Sequence, residues 1–156
     1  MSLKNHKLRK NEKTFIPNNI EKYVGRYPIV CRSSWEYRYC QWLDINKAVL
    51  EWSSEGHCIR YVDPYQAQRK RRYFPDYYVC MNTGDGKKRF IIEIKPEKDL
   101  KPPPRNTKKS KRTLQIMEHT YNVNMAKFKA AEEYCRKMGY TFKILTEKQL
   151  FRDKRG

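Results

Sequence analysis

The chain is poor in the residues on which several common chemistries depend. It has three histidines (His6, His57, His119) and five cysteines (Cys31, Cys40, Cys58, Cys80, Cys135), odd in number and without Cys-x-x-Cys spacing. That set makes neither a zinc cluster nor a disulfide framework, so free thiols in a reducing compartment are expected, most of them as small core residues. No apolar run approaches about 18 residues and no signal-peptide pattern is present, which leads us to expect a soluble protein made in the cytoplasm. Acidic residues are scarce as well: 17 Asp and Glu stand against 35 Lys and Arg, a formal charge of +18. Such a field draws polyanions and makes their binding steeply salt-dependent. A membrane-surface role would need a basic amphipathic helix with a wide apolar face, and none is evident. With 156 residues, 38% hydrophobic and 13% aromatic content, there is material for one domain with one modest core.

What the chain does have is two stretches that read as one hairpin. Tyr73-Phe74-Pro75-Asp76-Tyr77-Tyr78-Val79 and Arg89-Phe90-Ile91-Ile92-Glu93-Ile94-Lys95 flank Asn82-Thr83-Gly84-Asp85-Gly86. Either Gly84-Asp85 or Asp85-Gly86 can form a two-residue primed turn. The first centring sets Asp76 opposite Glu93 and the second sets it opposite Lys95; in both, the three charged residues share one face. Directly opposed carboxylates repel unless a cation lies between them, and an all-oxygen donor set suits magnesium better than zinc. A solvated face of ordinary charges is the plainer reading. Against it, Ile91, Ile92, Ile94, Tyr77, Tyr78 and Val79 make both strands apolar on both faces, which implies partial burial of Glu93 and Lys95.

Around the hairpin, residues 1–14 are polar and basic and read as a flexible arm, with residues 15–156 as the domain. Ser33-Ser34-Trp35-Glu36 opens a helix to about Asn46, with Trp35, Tyr39, Trp42 and Leu43 on one face. Ala48–Trp52 and Cys58–Val62 are short strand candidates. Residues 97–113 contain Pro102-Pro103-Pro104 and Lys108, Lys109, Lys111 and Arg112, and form a basic Pro-rich loop that cannot pack a core. A helix is expected over about Gln115 to Met138, with an apolar stripe of Met117, Tyr121, Met125, Phe128, Ala131, Cys135 and Met138 and with Gly139 as its C-terminal cap. Tyr140–Leu145 reads as a last strand and Thr146–Phe151 as a short closing helix.

Helix, three strands, helix and strand, with Pro75-Asp76 and Glu93-Ile94-Lys95 on consecutive strands, resembles the PD-(D/E)XK nuclease superfamily. Within it, the chain resembles the head-completion nucleases of T-even-type tailed bacteriophages, relatives of the transposon endonuclease subunit. The resemblance rests on Tyr23–Leu43 with Arg32-Ser33-Ser34-Trp35-Glu36, on Lys70–Asp76, on Ile92–Pro96, on Val123-Asn124 with Lys127–Ala131, and on Phe142–Glu147. It implies an α/β (α+β), restriction-endonuclease-like αβββαβ core with a mixed central sheet flanked by helices. It also implies hydrolysis of double-stranded DNA with magnesium, for which manganese can substitute. Asp76, Glu93 and the Ile94 carbonyl would hold the metal, and Lys95 would orient the attacking water or stabilise the phosphorane. Lys95 could instead serve only as an ion-pair partner for Glu93 or Asp76.

Glu36 matches the first-helix acid of the superfamily by position and is the fourth candidate for catalysis and metal binding. It also completes a Ser33-x-x-Glu36 capping box, a purely structural use. Glu55, at the end of the first strand, is a weaker candidate for an extra ligand, with a solvated side chain as the plainer reading. For DNA contact the candidates are Arg69-Lys70-Arg71-Arg72, Asn124 and Lys127 on the long helix, and Lys108, Lys109, Lys111 and Arg112 in the loop. None of these looks built to read bases. The resemblance further implies work at the portal of a filled phage head, in the host cytoplasm or retained in the virion, with portal or neck proteins as partners. The alternatives are a structural DNA-binding head protein with little catalysis, or a junction- or transposon-end-type nuclease. Oligomeric state is open.

Overall fold

Residues 8–105 and 108–152 are described in the computed structural model. In chain order the elements are β1 (Lys13–Phe15), β2 (Ile29–Cys31), α1 (Ser34–Ile45), β3 (Val49–Ser54), β4 (Ile59–Val62), β5 (Lys70–Tyr73), β6 (Tyr77–Thr83), β7 (Gly86–Ile94), α2 (Lys111–Met138), β8 (Thr141–Leu145) and α3 (Glu147–Leu150). Single 3₁₀ turns occupy Ile20–Lys22 and Glu97–Leu100. The central sheet has the order β3-β6-β7-β8; β3, β6 and β7 are antiparallel and β8 runs parallel to β7. This is the mixed sheet flanked by helices that the sequence predicts, with α1, β3, β6, β7, α2 and β8 as the αβββαβ core. The candidate strand at 58–62 lies outside that sheet. It pairs with β5 in a separate two-stranded ribbon, and β1 pairs with β2 in another.

Two layers of apolar contact hold the sheet. On one face Tyr77, Val79, Phe90, Ile92 and Ile94 pack against Tyr39, Cys40 and Leu43 of α1, with Trp52 at the centre. On the other, Tyr78, Cys80 and Ile91 meet Cys135 of α2. One turn along α2, Ala131 packs against Ile59, Tyr61 and Tyr73, so the same helix docks the β4–β5 ribbon. Trp52, Leu43 and Ile91 are fully buried; burying side chains of this size contributes roughly 1.5–3 kcal/mol each. Four of the five cysteines are buried and unpaired, and Cys58 is exposed.

Several boundaries differ from the sequence reading. Strand β6 starts at Tyr77, after the Phe74-Pro75-Asp76 bend, and Tyr73 belongs to β5 instead of the hairpin. The hairpin register is the one that places Thr83 across from Gly86, yet its turn is not primed. Positive φ occurs at Gly86 (104°) and not at Gly84 or Asp85, the pattern of an ordinary turn followed by a left-handed glycine. The Thr83 hydroxyl stabilises it, donating to the Gly86 carbonyl (2.7 Å) and accepting from the Asp85 N–H (3.3 Å). Helix α2 begins at Lys111, capped by Ser110, whose side chain accepts from the Thr113 N–H. Lys111 and Arg112 therefore form its first turn instead of belonging to the Pro-rich loop. Met138, expected on the apolar stripe, is half exposed; only Phe128, Ala131 and Cys135 of the stripe are fully buried. The expected basic arm falls partly outside the described residues (1–7), and Lys13 already pairs with Cys31.

Candidate active site

Strands β6 and β7, extended one step beyond their last pair Tyr77–Ile92, bring Asp76 opposite Glu93. The bend before β6 fixes Asp76 from both sides. Its carbonyl accepts the Glu55 N–H (2.9 Å), and its Oδ2 accepts the Ile94 N–H (2.8 Å). Glu93 is 5% exposed. Its Oε2 accepts the Tyr73 hydroxyl at 2.6 Å and its Oε1 lies 3.3 Å from Lys95 Nζ. Burial, reinforced by the neighbouring Glu93, holds the Asp76 carboxyl well above the ordinary carboxylate range. Two acids of one sign crowded into a low-dielectric niche, with one lysine beside them, form a donor set suited to a hard cation.

Glu36 reaches the same region from the first turn of α1. Its backbone N–H donates to Ser33 Oγ (3.1 Å), and its Oε2 accepts the Arg32 N–H (3.0 Å). The Ser33 cap is therefore present, but the Glu36 carboxylate reaches back to the Arg32 N–H instead of that of Ser33, so the expected capping box is only half formed. Glu36 nevertheless feels the pocket: burial raises its carboxyl, and its charge adds to the upward push on Asp76. Among the described residues no group of three or more His, Cys, Asp or Glu side chains is gathered closely enough to hold a metal ion. The donors that converge are thus the Asp76–Glu93 pair with the Ile94 backbone between them and Lys95, while Glu36 stands at the margin. Glu55 pairs with Arg32 and sits in the left-handed region at φ 51°.

Two participants were not read from the sequence in these roles. Tyr73 anchors Glu93 across elements. Had 73–79 been one strand, position 73 would face away from position 76; the bend reverses it, and no periodic signal reveals that. Lys127, expected only as a backbone contact for DNA, is half-buried above the Tyr73 and Tyr61 rings, 5.6 and 5.8 Å from their centroids. Burial and the nearby Lys95 charge push its pKa down, against the pull of Glu93. Asn124, one turn earlier, is also half-buried. Of the basic run, Arg69 closes the turn before β5, and Lys70, Arg71 and Arg72 lie within that strand. Arg71 is neutralised by Asp63 at 2.7 Å. Lys108, Lys109, Lys111 and Arg112 are exposed around the start of α2.

A family model, that of the TnsA-like endonuclease N-terminal domain, matches residues 46–147, a stretch that includes Asp76, Glu93, Lys95, Tyr73 and Lys127. The chain belongs to the TnsA-like endonuclease family. It is also 38% identical over 137 residues to the head completion nuclease of Enterobacteria phage T4, covering 85% of this chain and 89% of that one. No solved structure matches it. Membership of this endonuclease family supports a nuclease role, and Glu36 lies ahead of the stretch that the family model covers. Among the described residues, no helix is long and apolar enough to cross a membrane.

Proposed function

We propose that the protein is a magnesium-dependent endonuclease that hydrolyses phosphodiester bonds of double-stranded DNA, trimming or finishing packaged DNA ends during completion of a phage head. The observation that carries the proposal is the pairing of the half-buried Asp76 with the buried Glu93, with Lys95 Nζ 3.3 Å from Glu93. Asp76, Glu93 and the Ile94 carbonyl would hold the ion, which when bound supplies a Lewis acid for the scissile phosphate and lowers the pKa of a water. Lys95 contributes a positive charge at the edge of the pair, where it orients the attacking water or offsets charge growing on the phosphoryl oxygens. Tyr73 keeps one Glu93 oxygen in place and so fixes the other for its work. Glu36 adds negative charge at the margin. The lysines and arginines around β5 and the start of α2 supply the field that retains the duplex. The protein would act in the host cytoplasm, with portal or neck proteins of the head as partners.

A second reading is a DNA-binding head-completion protein with little catalysis, favoured by the lack of a three-ligand cluster among the described residues. A junction- or transposon-end-type nuclease shares the same chemistry and differs in substrate. The test is cleavage of supercoiled and linear duplex DNA with magnesium, manganese or EDTA, comparing the wild type with Asp76→Ala and Glu93→Ala while DNA binding is monitored. Metal-dependent cutting that both substitutions abolish, with binding retained, is the expected result. Tight binding without cutting by the wild type on either substrate would move the second reading to the front.

A further inference from the structure

We propose that Arg60 and Arg72 together form a two-point clamp for a backbone phosphate of duplex DNA on the outer face of the β4–β5 ribbon. The clamp rests on the proposal that duplex DNA is the substrate, and it adds Arg60, which no periodicity or charge run singles out.

In the ribbon register Arg60 is directly opposite Arg72. Their neighbours Ile59, Tyr61 and Tyr73 are buried toward α2, so alternation turns both arginines outward, and both are exposed. Lys70, across from Val62, shares that face. Like charges set directly across an antiparallel pair destabilise it. The usual remedy is a carboxylate, but Asp63, which follows β4 in the chain, is engaged by Arg71. Among the described residues no carboxylate lies within ion-pair distance of Arg60 or Arg72. Two unneutralised guanidinium groups on a short ribbon cost stability in the free protein and become favourable once an anion bridges them.

The surroundings suit such an anion. Arg60, Arg72, Lys70 and Phe74 line a concavity of about 530 Å³. The Arg72 guanidinium lies 6.0 Å from the Phe74 ring centroid, which limits its freedom before any ligand arrives. The clamp is also tied to the carboxylate pair: Arg72 is adjacent in the chain to Tyr73, whose hydroxyl holds Glu93. A phosphate held there would stand in a fixed relation to Asp76 and Glu93.

The test uses the full chain in EDTA, so that nothing is cut, with a labelled duplex whose binding is followed by fluorescence anisotropy over a salt series. Loss of the contact to the one clamped phosphate should flatten the slope of log K against log salt by about 0.9 in Arg60→Gln/Arg72→Gln. The control Arg136→Gln/Lys137→Gln, which removes the same charge from the exposed end of α2, should keep most of the wild-type slope. The thermal midpoint of the clamp variant should equal or exceed that of the wild type, because a repulsive pair has been removed. An unchanged slope, an equal flattening in the control, or a lowered midpoint would overturn the clamp. A loss that appears on one duplex sequence and not another would place the arginines on base edges and overturn the phosphate assignment. Each of these failures leaves the nuclease proposal standing, since that is judged by cutting in Asp76→Ala; failure of the wild type to bind duplex DNA at all would remove both.

Discussion

Replacing Asp76 with asparagine should abolish cutting and at the same time make the metal-free protein more stable at pH values where the Asp76 carboxyl is charged. Asp76 and Glu93 are directly opposed, and two unit charges roughly 5 Å apart repel by about 3 kcal/mol at an effective dielectric constant of about 20. Asparagine keeps an oxygen for the Ile94 N–H, although a neutral acceptor forms a hydrogen bond weaker by about 1 kcal/mol than a charged one. Some attraction to Lys95 is also lost, so the net gain is about 1–2 kcal/mol, or roughly 2–8 °C in the midpoint for a domain of this size. The pH dependence has a definite sign. Burial and Glu93 raise the folded-state pKa of Asp76 well above its ordinary 3.8. Between those two values the folded protein holds a proton that the unfolded chain has released, so wild-type stability falls as pH rises through that window. The advantage of Asp76→Asn is therefore largest above the raised pKa and disappears on acidification below 3.8. Thermal or urea melts in EDTA from about pH 4 to pH 8 measure it. Magnesium should reverse the ranking, since an ion at a hundredfold its dissociation constant adds about 2.7 kcal/mol to the wild type and nothing to a variant that has lost the ligand. A difference between variant and wild type that does not grow as pH rises would refute the claim that charging Asp76 costs the folded protein stability.

Tyr73→Phe leaves a nearly buried Glu93 oxygen without its 2.6 Å donor and should cost about 1.5–3 kcal/mol in urea denaturation. It should also slow cutting at saturating DNA without weakening binding; a midpoint equal to that of the wild type would show that the hydroxyl does not hold Glu93. Ser33→Ala should cost about 1 kcal/mol of stability through loss of the helix cap while cutting persists, whereas Glu36→Gln should keep most of the stability and lose activity. Equal cutting by both variants in a plasmid-nicking assay would reduce Glu36 to a cap.

The parts of the molecule legible in the sequence are those where local chemistry and tertiary packing agree. Ser33 and Glu36 announce the start of α1, Gly139 its counterpart at the end of α2, and the alternation around Gly84-Asp85 allows two hairpin registers, one of which is observed. Where the two conflict, the reading stops short. Lys111 and Arg112 put positive charge at a helix N-terminus, where the helix dipole disfavours it, so the first turn of α2 reads as loop despite the Ser110 cap. The strands β1, β2 and β5 are three or four residues long, too short for period two to stand out. Phe74-Pro75 interrupts what otherwise looks like one continuous strand, and with it hides the turn of Tyr73 toward Glu93. For the candidate site, Asp76, Glu93 and Lys95 could be listed from their spacing, but the hydrogen bond of Tyr73 to Glu93 comes from the β4–β5 ribbon, which docks against α2 through a contact with no sequence pattern of its own.

The parallel pairing of β7 with β8 has a consequence for the life of the newly made chain. Lys95 gives its backbone N–H to the Leu145 carbonyl at 3.0 Å, and β8 follows the whole length of α2. At a synthesis rate of about 5–20 residues per second, the roughly fifty residues between them take about 2.5–10 s to appear. During that interval Asp76, Glu93 and Lys95 already exist as sequence, but β7, which carries Glu93 and ends just before Lys95, has an unpaired edge and no α2 behind it. Assembly of the site is thus deferred to the last part of translation, and the same deferral leaves β7, with its buried run from Phe90 to Ile94, open to pairing with the wrong partner until its own is made.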